Sequence, residues 1–197
     1  MEEARDEETI TDIRRFRAEF ELPTDDALIV YFLREHHADR MPMPGMWLTP
    51  NEAELHSRHE ELIERARQAT QPYVERHRAD VAGSWVDIPR GERHIAFARD
   101  VERHRAALEA LAPDPGVLVV RAHERTEAEL EALMERVIDD GDELRQLGLD
   151  VFAVAYDEET NVVEVEVEAM DAETAQRVLS ERYGKAVRAE WIPPDTH

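Results

Sequence analysis

The chain has 197 residues, of which 42% are hydrophobic and 36% charged, and its 46 acidic side chains against 24 basic ones give a formal charge of −22. That balance fills a core and excludes a disordered chain, while acid spread along the whole length repels a phosphate backbone, so no nucleic-acid partner is expected. With no cysteine there are no disulfides, thiolate metal sites or thiol nucleophiles, and no run approaches the roughly 20 apolar residues of a membrane span.

A basic protein partner, a high-salt habitat or plain solubility would each account for the acidity. Lys185 is the one lysine among the basic residues. The start, Met1 to Asp6, lacks the basic and apolar regions of a secretory signal, which leaves either a cytosolic protein or one whose signal has been trimmed.

The first 80 residues read as a helical N-terminal region. Ile10, Ile13, Phe16 and Phe20 recur at helical spacing until Leu22-Pro23 breaks the run. Thr24, Asp25 and Asp26 offer a cap and an acidic first turn to a second helix through Leu28, Tyr31 and Phe32. His36 to Trp47 holds two prolines and a glycine and reads as a loop. Thr49 then caps a third helix with Pro50 at its first position, running through Leu55, Leu62, Ile63 and Ala66 to about His77.

From Gly83 the period becomes alternating. Residues 81–123 form a first ββαβ unit, with a strand at Ser84 to Asp87, a turn at Pro89 to Glu92, a strand at His94 to Ala98, a helix capped by Asp100, and the strand Val117 to Val120. Residues 124–148 form a linking amphipathic helix opened by the capping box Thr126 to Glu129 and closed at Leu147-Gly148. Residues 149–197 form a second ββαβ unit and tail, with strands at Val151 to Tyr156 and Val162 to Val167, a helix capped by Asp171, and a last strand at Val187 to Ile192. A shift of 70 positions carries Asp87 onto Asp157, Ile95 onto Val165 and Phe97 onto Val167, so the units read as an internal repeat. The expected fold class is α+β, with small antiparallel-rich sheets.

Catalytic motifs are not apparent. Ser57, Ser84 and Ser180 sit in no G-x-S-x-G elbow, and the seven glycines form no phosphate loop. His56 and His59 are three apart but not in the H-E-x-x-H order, and Asp139 to Glu143 lacks the ligand spacing of a calcium loop. No cofactor is expected. The densest unusual cluster is His36 and His37 followed by Met41, Met43, Met46 and Trp47, a thioether and imidazole set that suits Cu(I). Its plainer reading is a proline-stiffened loop using methionine to fill gaps.

Glu164, Glu166 and Glu168 alternate with valines and present either the solvent side of a strand or an acidic docking surface. Taken with Gly83-Ser84-Trp85-Val86-Asp87, Val117 to Arg121, Thr126 to Leu133, Ala155-Tyr156-Asp157 and Asn161 to Val165, this pattern resembles the pro-region of secreted bacterial serine proteases of the α-lytic protease and streptogrisin type. The resemblance covers about residues 80 to 192. It implies a non-enzymatic folding catalyst and inhibitor that docks the sheet of its second unit against a protease hairpin. Here the partner would be a separate serine protease or another protein, since no protease domain follows Ile192, and Glu164, Glu166, Glu168, Arg188 and Trp191 are the candidate contacts. A soft-metal protein and a structural or ligand-sensing domain are the alternatives.

Overall fold

The computed structural model describes residues 2–35 and 47–193. Three helices come first, α1 (Glu2–Glu19), α2 (Asp26–Glu35) and α3 (Pro50–Arg76). Their starts follow local chemistry. Asp25 Oδ1 accepts from the Leu28 N–H at 3.3 Å, and at α3 Thr49 and Glu52 form a reciprocal capping box, with Thr49 N donating to Glu52 Oε2 at 2.7 Å and Glu52 N to Thr49 Oγ1 at 3.4 Å. Pro72 lies inside α3, four residues before its end, although it cannot donate to the ladder there.

The chain folds as two compact units. One takes residues up to Glu61 together with the turn Ile88–Gly91. Its core is Ile13, Ile29, Phe32 and Trp47, edged by Ile10, Phe16, Leu28 and Leu33. Arg17, on the same helix, is 0% exposed. It survives there because every polar edge is matched: its guanidinium donates to the Trp47 carbonyl at 2.8 Å, to the Pro23 carbonyl, and to both oxygens of Glu52 at 2.8 and 3.1 Å. In the turn, Gly91 has φ +68° and an added Cβ would stand 2.9 Å from the His59 ring, so glycine is required on both counts.

The other unit holds the rest of the chain from Leu62. It contains β1 (Val81–Asp87), β2 (Glu92–Phe97), α4 (Val101–Leu111) and β3 (Leu118–Ala122), then α5 (Glu127–Asp139) and α6 (Gly141–Gln146), then β4 (Asp150–Asp157), β5 (Val162–Glu168), α7 (Ala172–Tyr183) and β6 (Val187–Ile192). The fold is α+β, with two three-stranded sheets in the orders β1-β2-β3 and β4-β5-β6. Each sheet is mixed, an antiparallel hairpin followed by a parallel ladder. A parallel return needs a crossover, which α4 and α7 supply.

The repeat holds at the level of register. Trp85 faces His94 as Ala155 faces Glu164, and Val81 faces Phe97 as Val151 faces Val167. Both first strands are irregular at the same place, one extra residue standing between Val81 and Gly83 and between Val151 and Ala153. The repeat also reaches upstream of the first strand. Tyr73 and Val74, at the end of α3, join the core of the first sheet, and Leu144 of α6 joins that of the second, so the duplicated element is helix-strand-strand-helix-strand.

Two local expectations are corrected. Asp100 stands at the N-cap of α4 but makes no side-chain cap bond, because it sits in the left-handed region at φ 48°. The linking helix over 124–148 is two helices, divided at Asp140. There the Asp140 carboxylate accepts from Arg182 Nε at 2.9 Å and from the Tyr183 hydroxyl at 2.8 Å, which ties the break to the end of α7. Thr126 and Glu129 form the expected capping box on α5, and Asp171 Oδ1 caps α7 by accepting from Thr174 N at 2.7 Å. Among the described residues no helix is long and apolar enough to cross a membrane.

Candidate partner-binding face

The second sheet has one dry face and one open face, and strand alternation decides which residue goes where. Val163, Val165 and Val167 of β5 are fully buried against Leu130, Val137, Leu144, Leu179 and Tyr183. Glu164, Glu166 and Glu168 therefore point the other way, joined there by Arg188 and Glu190 of β6 and by Ala153 and Ala155 of β4. Arg188 is the hub of this face. Its guanidinium bonds Glu164 and lies 3.7 Å from Asp157 and 3.5 Å from Glu190, and the Glu164 hydrogen bond above all holds its proton more firmly than usual. Burial alone would raise the Asp157 carboxyl, but hydrogen bonds from Thr160 and the Glu159 N–H outweigh it and hold the group below the ordinary carboxylate range.

Of the sequence-derived contact set, Glu164, Glu166, Glu168 and Arg188 share this face and Trp191 does not. Trp191 pairs with Val167, which puts it on the core side, where its indole N–H donates to the Ala169 carbonyl at 3.1 Å. His36, His37, Met41, Met43 and Met46 lie outside the described residues. Trp47 is described, and its ring is packed edge-on to Phe32 in the helical core.

The equivalent face of the first sheet is closed. Ala96 is 0% and His94 2% exposed. Trp85 lies flat on His94, with ring centres 5.0 Å apart, and stacks on His123 at 6.0 Å. Arg121 lies over the same indole at 5.7 Å. Beside this layer, Glu158 of the β4–β5 turn comes down on Gly83, whose backbone leaves it room: a Cβ there would be 2.8 Å from the Glu158 Cβ. Glu158 Oε2 also accepts from the Ser84 N–H at 2.7 Å.

Under the Trp85 layer Asp87, Glu92 and His94 bring one ligand atom each within 4.8 Å of one another, close enough to share a metal ion. The hydrogen bonds give the cluster another state. Arg121 Nε donates to His94 Nδ1 at 3.1 Å, so the ring proton sits on Nε2, which donates to Glu92 Oε2 at 3.1 Å. A cation on Nε2 would have to displace that proton and forfeit the Arg121 bond, so these residues are arranged as a hydrogen-bonded closure of the face. Sequence reading placed the turn between Asp87 and Glu92 but did not pair His94 with Trp85. The cross-strand register around that turn was the available signal.

A groove of mixed lining, with Asp139 and Asp142 beside its apolar residues, flanks the open sheet. β4 is an edge strand, and Phe152, the extra residue of its bulge, is 58% exposed. Phe152, Val151 and Val154 line a groove of about 470 Å³ with Ile138 of α5 and Arg145 of α6. Compared with models of known protein families and with curated proteins, the chain matches none of either.

Proposed function

We propose that this chain is a non-enzymatic protein-interaction module that binds, and in binding inhibits, a serine protease in trans through its second sheet. The observation that carries this reading is the asymmetry of the repeat: the sheet face that Trp85, His94 and Arg121 close in the first copy is left open in the second, with Glu164, Glu166 and Glu190 on it. Among the described residues the outer edge of β4 has no strand beside it, and an extended segment can pair with such an edge through backbone hydrogen bonds while side-chain pockets set the preference. Phe152 and Ile138 offer apolar anchors, and the carboxylates select a partner strand with basic side chains. This mode agrees with the resemblance to secreted-protease pro-regions.

The test is inhibition of a mature chymotrypsin-like bacterial protease by the purified chain. Slow, stable inhibition at about micromolar concentration or below, abolished by Phe152→Asp and weakened by Glu164→Lys with Glu166→Lys, supports the reading. Digestion of the chain as an ordinary substrate, or no effect on the enzyme, overturns it.

A further inference from the structure

On a chain with 46 acidic residues and 24 basic ones, a hollow lined by cations stands out. One such hollow, about 460 Å³, is formed by the β3–α5 connection, the end of the β4–β5 turn and the residue after α7's terminal glycine, and its lining includes His123, Glu124, Arg125, Thr160, Asn161 and Lys185. It carries two permanent cations against one carboxylate, and that carboxylate, Glu124, is 85% exposed and turned to the Arg125 guanidinium at 3.2 Å.

Two cations in this hollow have donors to spare. Lys185, the one lysine in the sequence, pairs with no carboxylate among the described residues. His123 also lines the hollow, its ring fixed by stacking on Trp85 and its Nε2 shut off from solvent. Arg125 bonds Glu124 through one terminal nitrogen only. Its backbone is anchored twice, its N–H donating to Asn161 Oδ1 at 3.0 Å and its carbonyl accepting from Asn161 Nδ2 at 2.9 Å, so the side chain projects from a fixed point.

We infer that this hollow binds the phosphate group of a small phosphomonoester. A lysine point charge and a guanidinium fork are donors that a tetrahedral oxyanion takes, and the volume lies within the range of small-molecule pockets, larger than bare phosphate requires. The hollow borders the open face, since Thr160 in its lining bonds Asp157, which lies 3.7 Å from Arg188, but the inference does not rest on how that face is used.

The experiment is an NMR titration of the full chain with inorganic phosphate and with glucose 6-phosphate, using glucose and sodium chloride at matched ionic strength as controls. Expected are saturable shifts at His123, Arg125 and Lys185 with both phosphates and none with glucose. Lys185→Gln should weaken binding by about tenfold, as loss of one charge-assisted bond implies, and Lys185→Arg should retain it. Lys185 is exposed, so neither variant disturbs the core. Shifts that rise without saturation, that chloride reproduces, or that Lys185→Gln leaves unchanged overturn the proposal.

Discussion

Asn161 and Arg125 exchange two hydrogen bonds across 36 positions of sequence, the Asn161 amide accepting from the Arg125 N–H and donating to its carbonyl. Asn161 does this from a left-handed backbone at φ 58°, at the end of the β4–β5 turn, a conformation that asparagine tolerates better than most residues. The pair ties the turn of the second repeat to the segment leaving the first sheet. Replacing Asn161 by glycine keeps the backbone conformation and loses both bonds. Replacing it by alanine loses the bonds and adds strain. Alanine is expected to lower stability by about 2–3 kcal/mol and glycine by about 1 kcal/mol less, measured by denaturant unfolding. Equal losses would show that the backbone conformation contributes nothing.

Arg17 and Glu52 give the helical unit its buried ion pair. Removing one partner strands the other, so Arg17→Met should destabilise that unit by about 3 kcal/mol, followed by the loss of helical signal on heating. Burial opposes the Glu52 charge, but hydrogen bonds from Arg17 and Thr49 outweigh it and hold the carboxyl below its ordinary range. A carboxylate depressed in the folded state stabilises above its unfolded value and loses that contribution as pH falls through the folded one. Acid unfolding of the native chain below about pH 4 should therefore steepen, and Glu52→Gln should flatten it.

His104 is 0% exposed, stacked on Phe97 at 4.0 Å, with Nδ1 2.9 Å from the Tyr73 hydroxyl and Nε2 3.5 Å from Asp80. His77, in the turn just after α3, packs against it, and Asp100 and Arg103 approach from the start of its own helix. Burial, reinforced by His77, pushes its titration below the ordinary imidazole range. The unfolded chain then binds the proton first, so stability is full above about pH 6.5 and falls as pH drops below it. His104→Phe keeps the stack on Phe97, and its unfolding midpoint should lose part of the slope between about pH 7 and pH 5. An unchanged slope would remove His104 as its source.

Tyr183 lies against Asp140 at the break between α5 and α6. Burial, aided by the hydrogen bond to Asp140, pushes its phenol up to about 12. In an ultraviolet titration two of the four tyrosines should ionise after an ordinary phenol, Tyr156, pushed up chiefly by burial, and later Tyr183. Asp140→Asn should bring that late step down toward the reference value of 10.0. If the late step stays in place, burial alone holds it.

What the residues determine by themselves is local. The capping box at Thr126, the Asp171 cap of α7, the helix stop at Gly148, the valine alternation in β5 and the step of 70 between the units depend on contacts within a few positions or on a period, and these can be counted along a chain. Tertiary structure decided which faces are open. The same strand position carries His94 in one copy and Glu164 in the other, and only the arrival of Trp85 across the hairpin, with Glu158 from a turn 75 positions beyond Gly83, closes the first face. Trp191 looks like a face residue until its pairing with Val167 places it on the core side. Arg17 reads as a surface charge until Glu52 and two carbonyls meet it inside the fold. Lys185 joins Arg125 and His123 only because the two halves of the repeat pack together. A charge or a ring takes its role from whatever covers it, and cover comes from distant parts of the chain that no local period records.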